Sequence, residues 1–246
     1  MNVPGSFDAE AYALRAVDAA AATQRDTLAR LSPWYAKFLE GWLPADKGCR
    51  IIDLPCGAGN LLFALKELGY TNVRGVDLDP GQVRLAKEIG LPADEGDVFE
   101  AIAREAEGSV TRIFALDFLE HIPMERAVEF CRACHRALIP GGKLICRTPS
   151  ADGPFGSHDR YNDLTHRWGM TAGAASQLFQ LAGFAPNQLQ VVGEPPVPYK
   201  LLNRLRLLLY KVTTAVMGAY LELAGIGAPL IWTRSMWIVA VRASSP

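Results

Sequence analysis

The chain has 246 residues, with Lys plus Arg at 25 against Asp plus Glu at 26 and a formal net charge of −1. Half of it is hydrophobic, enough for one large domain with additions or two small ones, and the balanced charge excludes a global field that would gather nucleic acid. Cysteines 49, 56, 131, 134 and 146 are odd in number and lie mostly in apolar runs, and the start Met1-Asn2-Val3-Pro4-Gly5-Ser6 has neither part of an export signal, so reduced thiols and a cytoplasmic setting are expected.

In chain order, residues 7–43 are Ala-rich and read as helix, with Pro33 marking a break and Ser32 a new N-cap. Trp34, Tyr35, Phe38, Leu39 and Trp42 are expected to pack on the main domain; the alternative is that they roof a substrate pocket. Residues 1–47 thus make an N-terminal helical cap.

From residue 50, strand patterns at 50–55, 73–78, 93–97, 110–117 and 142–148 alternate with helical patterns at 59–69, 80–89, 99–106 and 124–138. This alternation predicts an α/β, doubly wound, Rossmann-like sheet covered on both faces, with its ligand crevice at the carboxyl ends of the strands.

The first strand ends at Asp53, followed by Leu54-Pro55-Cys56-Gly57-Ala58-Gly59 and then a helical repeat of Leu61, Leu62, Leu65 and Leu68. Glycines there let a ligand reach the backbone, and the following helix offers free N–H groups; the alternative is an ordinary turn whose glycines serve only its dihedrals. The second strand ends at Asp77, a carboxylate about twenty residues further on that suits both hydroxyls of a ribose. Asp79, before Pro80, is placed as a helix N-cap. At the next strand end Gly96-Asp97-Val98 sets a carboxylate where an adenine amino group would meet it. A dehydrogenase would use the same features, but the dinucleotide fingerprint needs a third glycine where this chain has Leu62.

The set Asp53-x-Pro55-Cys56-Gly57-x-Gly59, Gly75-Val76-Asp77, Gly96-Asp97, Leu119-Glu120-His121-Ile122 and Leu138-Ile139-Pro140-Gly141-Gly142 resembles the class I S-adenosylmethionine-dependent methyltransferases, over residues 48–194 and again in the last strand. The resemblance implies a seven-stranded, mostly parallel sheet with a final antiparallel strand. It implies S-adenosyl-L-methionine as cofactor and S-adenosyl-L-homocysteine as product. By the same carry-over Asp53, Pro55, Cys56, Gly57 and Gly59 surround the methionine part, Asp77 holds the ribose, Asp97 and Val98 the adenine, and Leu78 and Leu116 stand beside them. The family usually has glycine where this chain has Pro55, which removes an N–H from the turn.

Methyl transfer to a hydroxyl needs alignment and a base. The segment Asp117-x-x-Glu120-His121 resembles one in the ubiquinone-biosynthesis O-methyltransferases, where acidic residues and the histidine hold a divalent cation; many class I members carry Glu-His without a known metal, and a metal-free site is expected here. His121 is expected beside the acceptor. The loop 156–169, with His158, Asp159, Asp163 and His166, looks like one in bacterial methyltransferases of cell-surface polysaccharide and glycan pathways. His166 is the expected general base, oriented by Asp163 or Asp159. The acceptor implied is a sugar or glycan hydroxyl, with a natural-product or quinone-type hydroxyl as the alternative and a non-catalytic scaffold as a further one.

Cys131-Arg132-Ala133-Cys134-His135 matches a c-type haem attachment pattern, but its cysteines share the apolar face of a helical repeat and are expected to pack in the core. Between a strand at 189–192 and a last strand at 235–242 lies an insertion, 195–234, with a basic amphipathic segment at 199–217. A cap over the cleft or a homodimer contact is one reading, and peripheral contact with an anionic inner-membrane face the other.

Overall fold

The computed structural model describes residues 21–153, 156–194, 201–225 and 231–243. Helix α1 (Ala21–Phe38) precedes β1 (Ile51–Asp53), α2 (Asn60–Glu67), β2 (Val73–Asp77), α3 (Pro80–Glu88), β3 (Ala93–Glu95), α4 (Val98–Arg104) and β4 (Val110–Leu116). Then come a 3-10 turn at Leu119–His121, α5 (Met124–Ala137), β5 (Leu138–Pro149), α6 (Gly156–Tyr161), α7 (Ala172–Leu181), β6 (Leu189–Gly193), α8 (Leu201–Leu223) and β7 (Ser235–Val241). The first twenty residues of the expected cap, and 195–200 and 226–230 of the expected insertion, lie outside the described residues.

The seven strands form one sheet in the order β3-β2-β1-β4-β5-β7-β6. Six run in one direction, β7 lies antiparallel between β5 and β6, and the predicted doubly wound sheet with an antiparallel last strand is what the chain builds. The strand order reverses at β1 and β4, so the crevice opens there, at the carboxyl ends.

Alternation along the central strands feeds two cores. Ile52, Leu54, Ile113 and Ala115 face α5 residues Phe130, Cys131 and Cys134, while Ile51, Phe114 and Ile145 face Leu61 and Leu65 of α2 and Trp237 of β7. Cys131 and Cys134 are wholly buried, which is the core role expected of them. Trp237 is enclosed by Trp34, Phe38 and Trp42 at centroid separations of 6.1, 4.9 and 5.7 Å. Burying aromatic area of this kind contributes about 1.5–3 kcal/mol per side chain, and it fixes α1 against the sheet.

Two local expectations differ from the structure. Helix α1 runs through Pro33 without a break. Proline removes the N–H that would bond the carbonyl four residues back, and because Ala29 and Pro33 are both exposed, losing that bond costs less than it would in the core. The Pro140-Gly141-Gly142 turn also lies within β5: Val110 pairs with Leu138 and Arg112 with Lys143, and Gly141 at φ 76° absorbs the extra residues. No helix among the described residues is long and apolar enough to cross a membrane.

Gly75 of β2 is a close-approach position. A Cβ there would stand 2.5 Å from the Cys56 Cβ and 2.6 Å from Leu62 Cδ1, so its absence lets the turn after β1 lie against β2. Gly75→Ala is expected to lower stability by about 1–3 kcal/mol through overpacking. Denaturant unfolding of the variant beside the parent chain checks this, and an unchanged midpoint would contradict it.

Candidate active site

The turn after β1 is tied down on both sides of Pro55. The Leu54 N–H donates to the Phe114 carbonyl at 2.9 Å and the Cys56 N–H to the Val76 carbonyl at 3.0 Å. The flanking amides are thus spent on the sheet, and proline, which has no N–H, leaves no bond unmade. The two glycines do different work. A Cβ on Gly59, at φ 88°, would come 2.4 Å from Leu91 Cδ1, whereas one on Gly57, at φ 50°, would meet only Gln82 Oε1 at 3.8 Å. Gly59 serves packing and only Gly57 faces open space, although both were expected around a ligand.

Asp77 clasps the turn from the neighbouring strand. Its Oδ2 accepts from the Gly57 N–H at 2.7 Å and its Oδ1 from the Asp79 N–H at 2.9 Å. A carboxylate has about four acceptor positions, so two are left for a ligand. Asp79 caps α3 as expected, accepting from the N–H groups of Gly81 and Gln82. Asp97 caps α4 with one oxygen, Oδ1, at 2.7 Å from Phe99 N and 3.1 Å from Glu100 N, which leaves Oδ2 for a further donor.

Two cavities meet at the carboxyl edge. One, of about 250 Å³, is lined by Tyr35, Asp53, Pro55, Cys56, Gly57, Asn60, Gln82, Leu116 and Asp117. The other, of about 400 Å³, is lined by Pro55, Asp77, Leu78, Asp97, Val98, Phe99, Asp117, Phe118, His121 and Thr165 among others. Pro55 and Asp117 belong to both, which makes them one cleft. Every expected cofactor residue except Gly59 lines it. A cavity of similar size, about 390 Å³, lies at the amino ends of the strands beside Lys66 and Tyr70, but no carboxylate reaches it.

The cleft is short of positive charge. Asp53 is fully buried, its Oδ1 has no hydrogen-bond partner among the described residues, and burial, then Asp77, raises its pKa well above the carboxylate range. Burial also raises Asp77, against the opposing pull of its amide donors. Burial, then Asp53 and Asp77, pushes the Cys56 thiol upward, so it stays protonated and is no nucleophile. Such a set favours a cationic ligand, whose ammonium and sulfonium charges let the carboxylates ionise. The open side of Gly57 and the orphaned Asp53 oxygen fit the amino-acid end of S-adenosylmethionine.

Sequence reasoning missed Arg147 and Glu194. Asp117, at φ 51°, gives its Oδ2 to Arg147 Nη1 at 2.6 Å, and Arg147 Nε donates to Glu194 Oε2 at 2.7 Å. Trp237 Nε1 donates to the same Glu194 oxygen at 2.8 Å. The residues lie too far apart in sequence for any motif to link them. The positive φ was equally invisible, since aspartate is one of the few residues that adopt it. Tyr35 packs with Trp34, Phe38 and Trp42 on the core around Trp237, as expected of that aromatic run, and it also lines the cleft.

Beyond Asp117 lies a histidine pair, His121 and His166, with ring centroids 4.8 Å apart. His166 was expected to be the base, but its Nδ1–H donates to the Asp159 carbonyl at 2.9 Å and its Nε2 faces Asp163 Oδ2 at 3.5 Å. It lines a cavity of about 10 Å³ beside Glu120. The Asp159 carboxylate is paired with Arg234 instead. His121, by contrast, is on the wall of the larger cavity. The Thr165 hydroxyl donates to Asp163 Oδ1 at 2.7 Å, and its oxygen is 2.8 Å from His121 Nδ1. Having spent its one proton, that hydroxyl can only accept from Nδ1–H, so neutral His121 carries its lone pair on Nε2. Glu120, His121 and His166 bring atoms that could hold a metal ion within 4.8 Å of one another, while Asp117, the first residue of the motif that resembles a cation site, pairs with Arg147.

The family model described as a methyltransferase domain matches residues 19–189. Among curated relatives, the ubiquinone biosynthesis O-methyltransferase of Xanthomonas oryzae pv. oryzae is 36% identical over 113 residues, 42% of this chain and 46% of that protein. The chain thus spans about half the length of the curated relatives it matches. Among solved structures, an S-adenosylmethionine-dependent methyltransferase from Archaeoglobus fulgidus superposes with TM-score 0.65 at 18% identity, over 85% of this chain and 94% of that one. The phosphoethanolamine N-methyltransferase 2 of Haemonchus contortus, in complex with S-adenosyl-L-methionine, gives 0.59 at 19% identity, over 86% and 53%. These structural likenesses speak for the fold. The expected likeness to polysaccharide enzymes has no counterpart among these relatives.

Glu120 has neither carboxyl oxygen hydrogen-bonded among the described residues, and burial, with Asp117 adding, raises its pKa to about 8. Folding therefore retains a proton that the unfolded chain releases above its ordinary carboxyl pKa of 4.5. That contribution to stability is complete at lower pH and is lost as pH climbs from there through about 8. Glu120→Gln is expected to flatten the decline in melting temperature across this window. Parallel slopes for variant and parent would contradict it.

Proposed function

The chain belongs to the methyltransferase-domain family, and on that premise we propose that it is an S-adenosylmethionine-dependent O-methyltransferase acting on a small-molecule hydroxyl of the phenol or quinol type. The observation that carries this reading is the cleft in which Asp53, Asp77, Asp97 and Asp117 converge from successive strand ends around the open side of Gly57. When bound there, S-adenosylmethionine supplies an electrophilic methyl group. Asp77 would take the ribose hydroxyls on its remaining acceptor positions, and Asp97 Oδ2, on the wall that includes Leu78, Val98 and Phe99, would take the adenine amino group. Asp53 and the Gly57 backbone would receive the amino-acid end, on the wall that includes Asn60 and Gln82.

His121 accepts the proton of the acceptor hydroxyl on Nε2 as the oxygen gains its methyl group. Asp163 acts through Thr165, which holds His121 in the required tautomer and polarises Nδ1–H as the ring gains charge. His166 fixes the far side of Asp163. The walls next to His121 are Phe118, Ile122 and Pro123, which suit a flat apolar ring better than a polyhydroxylated sugar, and the ubiquinone-biosynthesis relatives support the same choice. A dinucleotide is disfavoured because Leu62, at the third-glycine position, is 1% exposed in the core under Gly75.

Titration calorimetry is expected to give binding of S-adenosylmethionine or S-adenosylhomocysteine on the order of 1–100 μM. Asp77→Asn should weaken it by roughly tenfold or more, the loss of charge-assisted acceptors. No heat with either compound would sink the reading. With catechol-type acceptors, His121→Ala should lower kcat by about 10²–10⁴ while leaving cofactor affinity within about threefold. His166→Ala should cost less than that. A fully active His121→Ala variant would remove the base assigned here.

A further inference from the structure

Helix α8 inverts the usual amphipathic arrangement. Leu205, Leu208, Leu209, Val212, Val216 and Tyr220 are each more than half exposed, and at 100° per residue they fall within an arc of about 120°. The half-buried residues Leu207, Tyr210, Thr214, Gly218 and Leu221 lie on the opposite side. One face of the helix is thus half-buried, and the opposite one presents a leucine and valine stripe to the outside. Within the 23-residue helix the stripe from Leu205 to Tyr220 is about 24 Å long, more continuous than the scattered apolar residues of an ordinary surface.

Charge tells what covers it. Arg204 and Lys211 flank the stripe on one side and Arg206 on the other; all three are exposed, and Glu222 is the one acid on the helix. Basic side chains at both borders of an apolar face match a layer whose apolar interior lies under an anionic surface. A second copy of the helix would bring like charges to both borders. The helix does not meet the requirements for crossing a membrane, so it lies along the layer.

Its roots lie at one edge of the sheet. Gly193 at the end of β6 stands opposite Met236, and Ser235 at the start of β7 opposite Pro149 at the end of β5. The segment carrying α8 therefore leaves and rejoins the sheet at the carboxyl edge, where the cleft opens. We propose that α8 docks on an anionic lipid surface, its leucine and valine stripe at the acyl boundary and Arg204, Arg206 and Lys211 among the headgroups, with the cleft mouth toward the bilayer. The docking itself stands on α8 alone. Delivery of an apolar, bilayer-resident acceptor to His121 rests additionally on the methyl-transfer reading.

Co-sedimentation of the full chain with vesicles of phosphatidylglycerol in phosphatidylcholine tests this. Strong pelleting is expected with these vesicles, at least about tenfold weaker with phosphatidylcholine alone or at high salt. Val212→Glu with Val216→Glu, at positions 53% and 65% exposed, should abolish pelleting with melting temperature and cofactor binding unchanged. Replacing Arg204, Arg206 and Lys211 by Gln should remove the preference for anionic vesicles. Absence of pelleting by the parent chain overturns the proposal. So does pelleting undiminished in the double variant, or a solution dimer that the double variant converts to monomer without vesicle binding. Because cofactor heat is measured separately, failure of docking and failure of the methyl-transfer reading are told apart.

Discussion

The clasp of Asp77 on the Gly57 and Asp79 amides is the constraint on which the site depends. A single carboxylate joins the turn after β1 to the turn after β2, and it can do so only because Gly75, two residues earlier, has no Cβ to hold the turn away. The clasp orients the open side of Gly57, sets α3 through Asp79, and leaves part of the same carboxylate facing the cleft. Structural and ligand-binding duties thus fall on one side chain. A substitution at Asp77 therefore reaches geometry and affinity together.

Around the clasp the cleft stores unfavourable electrostatics. Burial raises Asp53, Asp77, Asp117 and Glu120 together, and Arg147 answers only Asp117 directly, shared with Glu194. Folding bears the cost of these desolvated acids, and a cationic ligand recovers part of it by letting them ionise. The site is destabilising in isolation and selective for the charge it lacks.

What could be read from the sequence was local. The strand and helix alternation and the cap at Asp79 follow from short-range patterns, and the cleft positions of Asp53, Gly57, Asp77 and Leu116 from the family resemblance that those patterns carry; the capping by Asp97 was not anticipated. Gly57 and Gly59 look alike in sequence, and only the position of Leu91 separates the one that faces a ligand from the one that packs. His121 and His166 each looked able to act as base; their difference comes from Thr165 and from the Asp159 carbonyl, hydrogen-bonding choices that sequence spacing does not encode. The Arg147 to Glu194 pair is set by β5 and β6 flanking β7, a feature of topology. Pro33 promised a break that exposure of Ala29 made unnecessary.

Trp237 has a consequence for how the molecule is assembled over time. β7 is the last of the seven strands in sequence yet sits between β5 and β6, and its Trp237 both receives α1 and holds Glu194 against Arg147. Until that strand inserts, β5 has an unpaired edge, the aromatic residues of α1 have nothing to close on, and Asp117 lacks a fixed counter-ion. A growing chain that has emerged as far as β6 therefore has the glycine turn but not the finished cleft, and carries an open strand edge that invites mispairing. Completion of the binding site and protection of the sheet come in one late, long-range event, so a chain able to hold its ligand is one whose sheet is already closed.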